Sequence, residues 1–141
     1  MASIIKVETL QDTDGNNAVA MQYVASGSAK VWNHYHQIGT PASKDSFNIS
    51  SIADTTTGLV THSFTNNMGN ANYQWGGGMT NSTGSTPAGD SNKCGVLYID
   101  ASNLPTTSTF ALYTLYVSNT SGGGGGIDVS IVSFSINGDL A

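Results

Sequence analysis

Apolar and polar residues alternate with a period of two in several short segments, and this alternation predicts β-strands. The clearest example is 31–36, where alternate side chains would lie on opposite faces. In other segments the residues expected to share a face are Phe47 with Ile49; Val60 and His62 with Phe64; Tyr73 with Trp75; Cys94 and Val96 with Tyr98; and Phe110, Leu112 and Thr114 with Tyr116. The last strand would run from Ile127 to Ile136, with a β-bulge near Ile131 where the apolar positions shift by one residue.

Turn-forming residues separate these segments, and together the two patterns are typical of an all-β protein. The turn clusters are Asp14-Gly15, Thr57-Gly58, Met68-Gly69-Asn70 and the ranges 76–78, 81–90, 121–126 and 137–138. The 17 glycines interrupt most windows in which a helix could form. We therefore predict an all-β fold, a β-sandwich or jelly-roll-like domain.

The first 27 residues differ from the rest because they contain few large side chains that could build a core. Residues 4–10 and 19–24 could form strands on either side of a turn, and the five small residues 25–29 would be a linker. We interpret residues 1–27 as an extended arm or hairpin for attachment and oligomerisation. Residues 28–141 would then form the β-sandwich-like domain.

Charged residues are scarce, and this scarcity excludes some classes of function. The chain has 141 residues, four lysines, no arginine and a net charge of −5, so it lacks the basic surface that nucleic-acid binding needs. No apolar run approaches the roughly 20 residues that span a bilayer, so we expect no membrane insertion. Ser, Thr, Asn and Gly make up 64 residues, which predicts a neutral surface rich in hydroxyl and amide groups.

The sequence also predicts where the protein is made. The first six residues lack the continuous apolar segment of a secretory signal, and Cys94 is alone, so no intrachain disulfide is expected. These features fit a particle component that is made in the cytoplasm of a host cell and released by lysis. The glycosylation sequons at Asn48, Asn81 and Asn119 then have no meaning, because glycosylation needs the secretory route.

Residues 28–75 resemble a set of motifs common in bacteriophage tail fibre and related tail proteins. In chain order the motifs are Ser28-Ala-Lys-Val-Trp-Asn33, Gly39-Thr-Pro, Asp45-Ser-Phe-Asn-Ile-Ser-Ser-Ile-Ala-Asp54, Thr57-Gly58, Phe64-Thr65 and Ala71-Asn-Tyr73. The opening stretch 4–17 is also similar to the beginnings of phage fibre proteins. The chain departs from the family pattern at His34-Tyr-His36 and in the Gly/Ser/Asn-rich stretch 76–93.

The resemblance implies a homotrimeric virion protein that joins other tail or baseplate proteins through its amino-terminal part. Its β domain would face host surface polysaccharide. We therefore predict a tail fibre or fibre-like structural protein of the virion tail that recognises a surface glycan on the host. The alternative is a capsid-associated fibre or decoration protein without a receptor role.

A polysaccharide depolymerase is a third class, and the sequence favours it least. The aspartates lie mostly in turn contexts, where Asp caps backbone amides, and no Gly-x-Ser-x-Gly motif is present. The glycine run 122–126 lacks the Gly-Lys-Ser/Thr ending of a phosphate-binding loop, so no nucleotide is implied. We predict no enzymatic activity and no cofactor.

His34 and His36 are candidate metal ligands. On one strand face their side chains would be about 6.5–7 Å apart. In a trimer the three pairs could bring six ring nitrogens to the axis and bind an octahedral transition metal. The alternative is a pair of exposed or interface histidines beside Trp32. We expect His62, which has no partner at such a spacing, on the sheet surface.

Tyr73 and Trp75 are candidate glycan-binding residues, since aromatic rings stack on the apolar faces of sugars. The alternative places both rings in the core or at a trimer interface. The segments 76–90 and 118–126 are predicted to be loops, and loops on a rigid β scaffold commonly carry recognition. The glycine run could instead be backbone that approaches a neighbour closely.

Overall fold

The computed structural model describes residues 6–15, 18–80, 93–118 and 124–141. The strands are β1 (Thr9–Leu10), β2 (Val19–Ala20), β3 (Ala29–His36), β4 (Ala42–Phe47), β5 (Ile49–Thr56), β6 (Leu59–Phe64), β7 (Gln74–Met79), β8 (Lys93–Tyr98), β9 (Thr109–Ser118), β10 (Gly124–Gly126) and β11 (Val132–Asn137), and the helix is α1 (Met21–Gly27). Strands dominate, which confirms the prediction of an all-β protein. Within the described ranges no helix has the length and apolar character needed to cross a membrane.

Two larger antiparallel sheets build the body of the molecule. Sheet I has the strand order β4-β3-β11-β7. Sheet II is built around β9, which pairs with β6 along one edge and with β8 along the other. β10 lies on the β6 side of β9, since it pairs with the same residues 115–117 that β8 contacts from the opposite side. β5 pairs with β6.

The inward-facing residues of both sheets form one hydrophobic core. The contributors from strands β3, β11, β6 and β9 are Val31, Tyr35, Val132, Phe134, Ile136, Val60, Phe64, Phe110 and Leu112. Burial of each large apolar side chain contributes about 1.5–3 kcal/mol. The alternation predicted for β3 is confirmed, because Val31, Asn33 and Tyr35 are buried and the residues between them are only partly buried.

Asn48 turns the chain from sheet I into sheet II, and this corner corrects one prediction. Its φ of 60° lies in the left-handed region, which Asn tolerates better than most residues. Its side chain exchanges two hydrogen bonds with the backbone of Asn66, at 3.0 and 2.7 Å. Phe47 therefore ends β4 and is 51% exposed, whereas Ile49 begins β5 and packs against the core. The two do not share a face.

A helix occupies most of the region where the sequence predicts a second strand and a linker. β1 and β2 pair over only two residues each, and α1 follows at once. Met, Gln and Ala in this segment favour a helix, although none of its residues is buried. The helix passes into β3 through Ser28 alone, and the Asn137 side-chain amide donates a hydrogen bond to the carbonyl of Gly27 at 2.8 Å. The prediction of a linker over 25–29 is therefore wrong.

The carboxy-terminal strand is shorter than predicted. Only Val132–Asn137 belongs to β11, and residues 127–131 lie outside the strands. Val129 is nevertheless buried, and its main chain pairs with Gln37. The change of apolar phase near Ile131 thus marks the start of a strand. The register irregularity of β11 against β3 lies between Ile136 and Asn137.

Two glycine-rich stretches predicted as turns or loops are strands. Residues 76–78 belong to β7, which pairs with β11, and β10 consists of glycine alone. Backbone comes close to β10, because a Cβ on Gly126 would lie 2.3 Å from the carbonyl oxygen of Thr57. Of the predicted recognition loops 76–90 and 118–126, residues 81–90 and 119–123 lie outside the described part of the chain.

A buried polar cluster ties the β5–β6 turn to both sheets. The Gln37 side-chain oxygen accepts hydrogen bonds from the Thr114 hydroxyl at 3.0 Å and the Val129 N–H at 3.1 Å. The Gly58 N–H donates to Asp128 Oδ1 at 2.7 Å. Gly58 has a φ of 80°, and a Cβ there would lie 2.4 Å from the carbonyl oxygen of Thr114. Only glycine fits this turn without a shift of the backbone.

Candidate functional site

Tyr73 and Trp75 meet at the edge of the hydrophobic core. Their rings lie 6.2 and 5.6 Å from the ring of Phe110. The Tyr73 hydroxyl is within 3.2 Å of the carbonyl oxygens of Thr106 and Thr109, to which it donates, and burial raises the pKa of this hydroxyl to about 12. Trp75 belongs to β7, whereas Tyr73 precedes that strand. Both rings therefore help to hold β7 against sheet II.

A groove runs between β7 and β8, the edge strands of the two sheets on this side of the molecule. Its volume is about 440 Å³, and its apolar lining comprises Trp75, Met79, Val96 and Leu97, with four glycines between them. Trp75 is partly buried and shares its ring surface between this groove and Phe110. Polar and apolar surface contribute about equally to the groove: the four side chains supply the apolar part, and the glycines expose backbone.

His34 and His36 lie on the same face of β3, as their spacing predicts, and both are partly buried. The His34 ring is fixed by a hydrogen bond of 2.7 Å between Nδ1 and the Ser133 hydroxyl. His36 Nδ1 is buried and has no hydrogen-bond partner among the described residues. Among the described residues of a single chain, no three His, Cys, Asp or Glu side chains are grouped so that they could hold a metal ion. A metal site shared by three chains stays a prediction.

His62 is in the core, so its predicted position on the sheet surface is wrong. Its ring lies 4.7 Å from those of both Tyr35 and Phe134. Nδ1 is 3.1 Å from the carbonyl oxygen of Phe110, to which it donates when protonated there. Burial lowers the pKa of His62 to about 4. The sequence signal was present, since the alternation puts His62 on the same face as Val60 and Phe64.

The outward face of sheet I carries two rows of neighbouring residues that the sequence analysis did not predict. Strand pairing sets residues of β4, β3, β11 and β7 side by side in two rows, which are Asp45, His34, Ser133 and Gly78, and Phe47, Trp32, Ser135 and Gly76. Over the β11–β7 side lies a shallow trough of about 430 Å³, lined by residues 76–78 and 133–135. Strands far apart in sequence build it, so local motifs could not reveal it.

The three glycines of the trough have different structural roles. A Cβ on Gly77 would point into the core and lie 2.6 Å from the carbonyl oxygen of Ser133 and 3.1 Å from Phe134 Cβ. A Cβ on Gly76 would meet only the Gln74 amide nitrogen at 3.9 Å, and one on Gly78 would meet nothing within 4 Å. Packing therefore requires glycine at 77, whereas at 76 and 78 the missing side chains leave the trough open.

Comparison with protein-family models, with curated proteins and with solved structures finds no match.

Proposed function

We propose that this protein is a structural component of a bacteriophage virion, a tail fibre or fibre-like protein that recognises a host-surface glycan. In this proposal three copies associate, residues 1–27 form the attachment arm, and residues 28–141 form a β-sandwich body. The family-like motifs over residues 28–75 and the mainly β architecture support it. The scarcity of charged residues suits contact with uncharged sugars.

The observation that carries the proposal is the separation of the amino-terminal elements from the core. No residue of the described part of 6–27 belongs to the core cluster. Within that stretch the exposed large apolar side chains are Val7, Leu10, Val19, Tyr23 and Val24. A two-stranded hairpin of this size is not stable on its own, and association with other copies would stabilise it by covering these side chains.

Oligomeric state tests the attachment arm. Light scattering of the full chain should give three times the monomer mass of 14.6 kDa. Tyr23→Ser should shift the distribution towards monomer, because Tyr23 is 66% exposed on α1. Leu104→Ser is the matched control, since Leu104 is equally exposed at 65% but lies in the body. A monomeric wild-type protein would contradict the trimer.

Host polysaccharide tests the receptor role. Purified full-length protein should be retained on immobilised polysaccharide from the host surface without releasing reducing ends. Immunogold labelling of intact particles should place the protein on the tail. Release of reducing ends would instead make it a depolymerase, and labelling of the head without polysaccharide retention would make it a decoration protein.

A further inference from the structure

We infer that the trough on the outward face of sheet I binds a neutral glycan. A hexopyranose ring would lie over Gly76 and Gly78, beside Ser133 and Ser135. This inference rests on the proposed receptor function and adds the site and the chemical class of the sugar. The residues that carry it belong to β3, β7 and β11.

Packing does not require glycine at the two positions that form the floor of the trough. Gly76 and Gly78 are not among the described residues that have a positive φ. The space around them would also accept a Cβ at either position. Glycine in a strand interior lowers stability by roughly 0.5–1 kcal/mol relative to alanine. The structure therefore tolerates two unfavourable residues whose shared effect is a flat, accessible floor large enough for a sugar ring.

Polar groups beside the floor match the hydroxyls of a sugar. The Ser133 and Ser135 side chains are partly exposed on the outward face of β11. Ser133 also fixes the His34 ring on the neighbouring strand, through Nδ1 at 2.7 Å. A hydroxyl both donates and accepts, so these groups can pair with sugar hydroxyls of either orientation.

Two aromatic residues lie on the same sheet face as the floor, one on β3 and one on β4, which are one and two strands away from β11. Trp32 pairs with Ser135 across the β3–β11 ladder, and Phe47 pairs with Trp32 from β4. Phe47 is 51% exposed. A sugar presents apolar C–H groups as well as hydroxyls, and an aromatic ring next to hydrogen-bonding groups recognises both parts.

Charge selects a neutral sugar over an acidic one. Glycine, serine and Phe134 line the trough, so its lining carries no charge. Lys44 and Asp45 lie on β4, the strand farthest from β7 in the sheet. With a net charge of −5 and no arginine, the chain lacks the guanidinium groups that bind carboxylates and phosphates in pairs. Uronic acids and phosphorylated sugars are therefore disfavoured.

The trough fits this role better than the groove beside Trp75. The Tyr73 hydroxyl already donates to backbone carbonyls, and the Trp75 ring packs on Phe110. Within the described residues, Ser133, Ser135 and Trp32 are not among those that form the core cluster or pack against it. If the β7–β8 groove is the site instead, binding will depend on Trp75 and Val96 and will not respond to residues of the outward face.

The test uses the full chain, labelled with ¹⁵N, and a panel of neutral sugars. The probes are oligosaccharides of three to six glucose, galactose, mannose or N-acetylglucosamine units, with oligogalacturonate as the acidic control. We expect one neutral class to shift the amide signals of Gly76, Gly78, Ser133 and Ser135. Gly78→Val should weaken that binding at least tenfold, because a Cβ at this position has no atom of the described chain within 4 Å and the valine side chain can therefore occupy the trough.

Control variants distinguish a loss of binding at the trough from a loss of folding and from a failure of the proposed receptor function. Ser51→Val introduces the same side chain at an exposed position of β5 and should leave binding unchanged; Gly76→Val is the second variant if Gly78→Val fails to fold. The inference is overturned if no neutral sugar shifts these amides at about 10 mM, or if both glycine variants bind as the wild type does. Retention of both glycine variants on host polysaccharide at the wild-type level would overturn the trough and leave the receptor function standing. Failure of the wild type to be retained would reject the receptor function itself.

Discussion

The charge state of the buried His62 side chain affects the stability of the fold. The imidazole packs edge-to-face against both the Tyr35 and the Phe134 rings, and its Nε2 has no hydrogen-bond partner in the described part of the chain. A positive charge there would be neither solvated nor paired. The neutral form is therefore the one that the core accepts.

Stability should consequently fall as the solution becomes acidic. The pKa of His62 is about 4 in the folded protein, against 6.5 when unfolded. Between these values the unfolded chain takes up a proton that the folded chain does not, so stability present above pH 6.5 is lost as pH falls towards 4. The loss should reach about 3 kcal/mol. Urea denaturation at pH 7, 5.5 and 4.5 measures it.

The variant His62→Phe isolates this contribution from that of the carboxylates. Phenylalanine keeps a ring at the site and does not titrate, so the loss between pH 6.5 and 4.5 should shrink. An unchanged pH dependence in His62→Phe would show that other groups cause it.

Gly58 gives a second prediction for a single residue. Gly58→Ala would combine an unfavourable φ with a Cβ that lies 2.4 Å from Thr114 O and 2.7 Å from Ile127 N, and should cost about 3 kcal/mol of stability. Gly39→Ala has a similar φ of 75° and nothing within 4 Å, so it should cost only about 1 kcal/mol. Equal denaturation midpoints for the two variants would contradict the argument from close contact.

At the scale of elements, β7 separates what sequence can predict from what it cannot. Three consecutive glycines favour a turn by local preference, yet they form a strand because β11 supplies a complete ladder of partners. Gly77 is necessary because Phe134 packs beneath it. That requirement follows from the contact between Gly77 and Phe134, which are 57 positions apart. A pattern of neighbouring residues cannot predict it.

Alanine substitutions at two neighbouring glycines of β7 compare its inward and outward faces directly. Gly77→Ala should lower the melting temperature by several degrees, because its Cβ would collide with the backbone of Ser133. Gly78→Ala should leave the melting temperature unchanged or raise it slightly, since alanine is the better strand residue and has open space. Thermal unfolding followed by circular dichroism measures both. The reverse order would mean that the outward and inward faces of β7 are exchanged.

The elements that the sequence predicts best are those with strict alternation. β3 and β11 bury alternate residues as expected, because one face of each is covered by the core. β6 buries Val60 and Phe64 as well, but it also buries His62, which was expected at the surface. The predictions fail at Asn48, where a single left-handed residue moves the chain between sheets, and at α1, which buries nothing. The trough was missed for a related reason, since its rows arise only when four distant strands pair.

The low charge of the whole molecule predicts a weak dependence of glycan binding on salt concentration. The proposed neutral glycan, bound in a trough with an uncharged lining, would gain little from long-range electrostatics, which salt screens beyond about 10 Å at 0.1 M. Retention on host polysaccharide should therefore change less than about twofold between 0.05 and 0.5 M sodium chloride. A steep fall with salt would point to an acidic receptor and to the four lysines.

The direct passage of α1 into β3 has a mechanical consequence. Ser28 is the one residue between them, and Asn137 of β11 holds the end of the helix. β3 is an interior strand, paired with β4 on one side and β11 on the other. A pull on the amino-terminal elements is therefore delivered along β3, at right angles to two ladders of hydrogen bonds that must shear together. Tension that enters through this end is spread over sheet I before any single bond carries it.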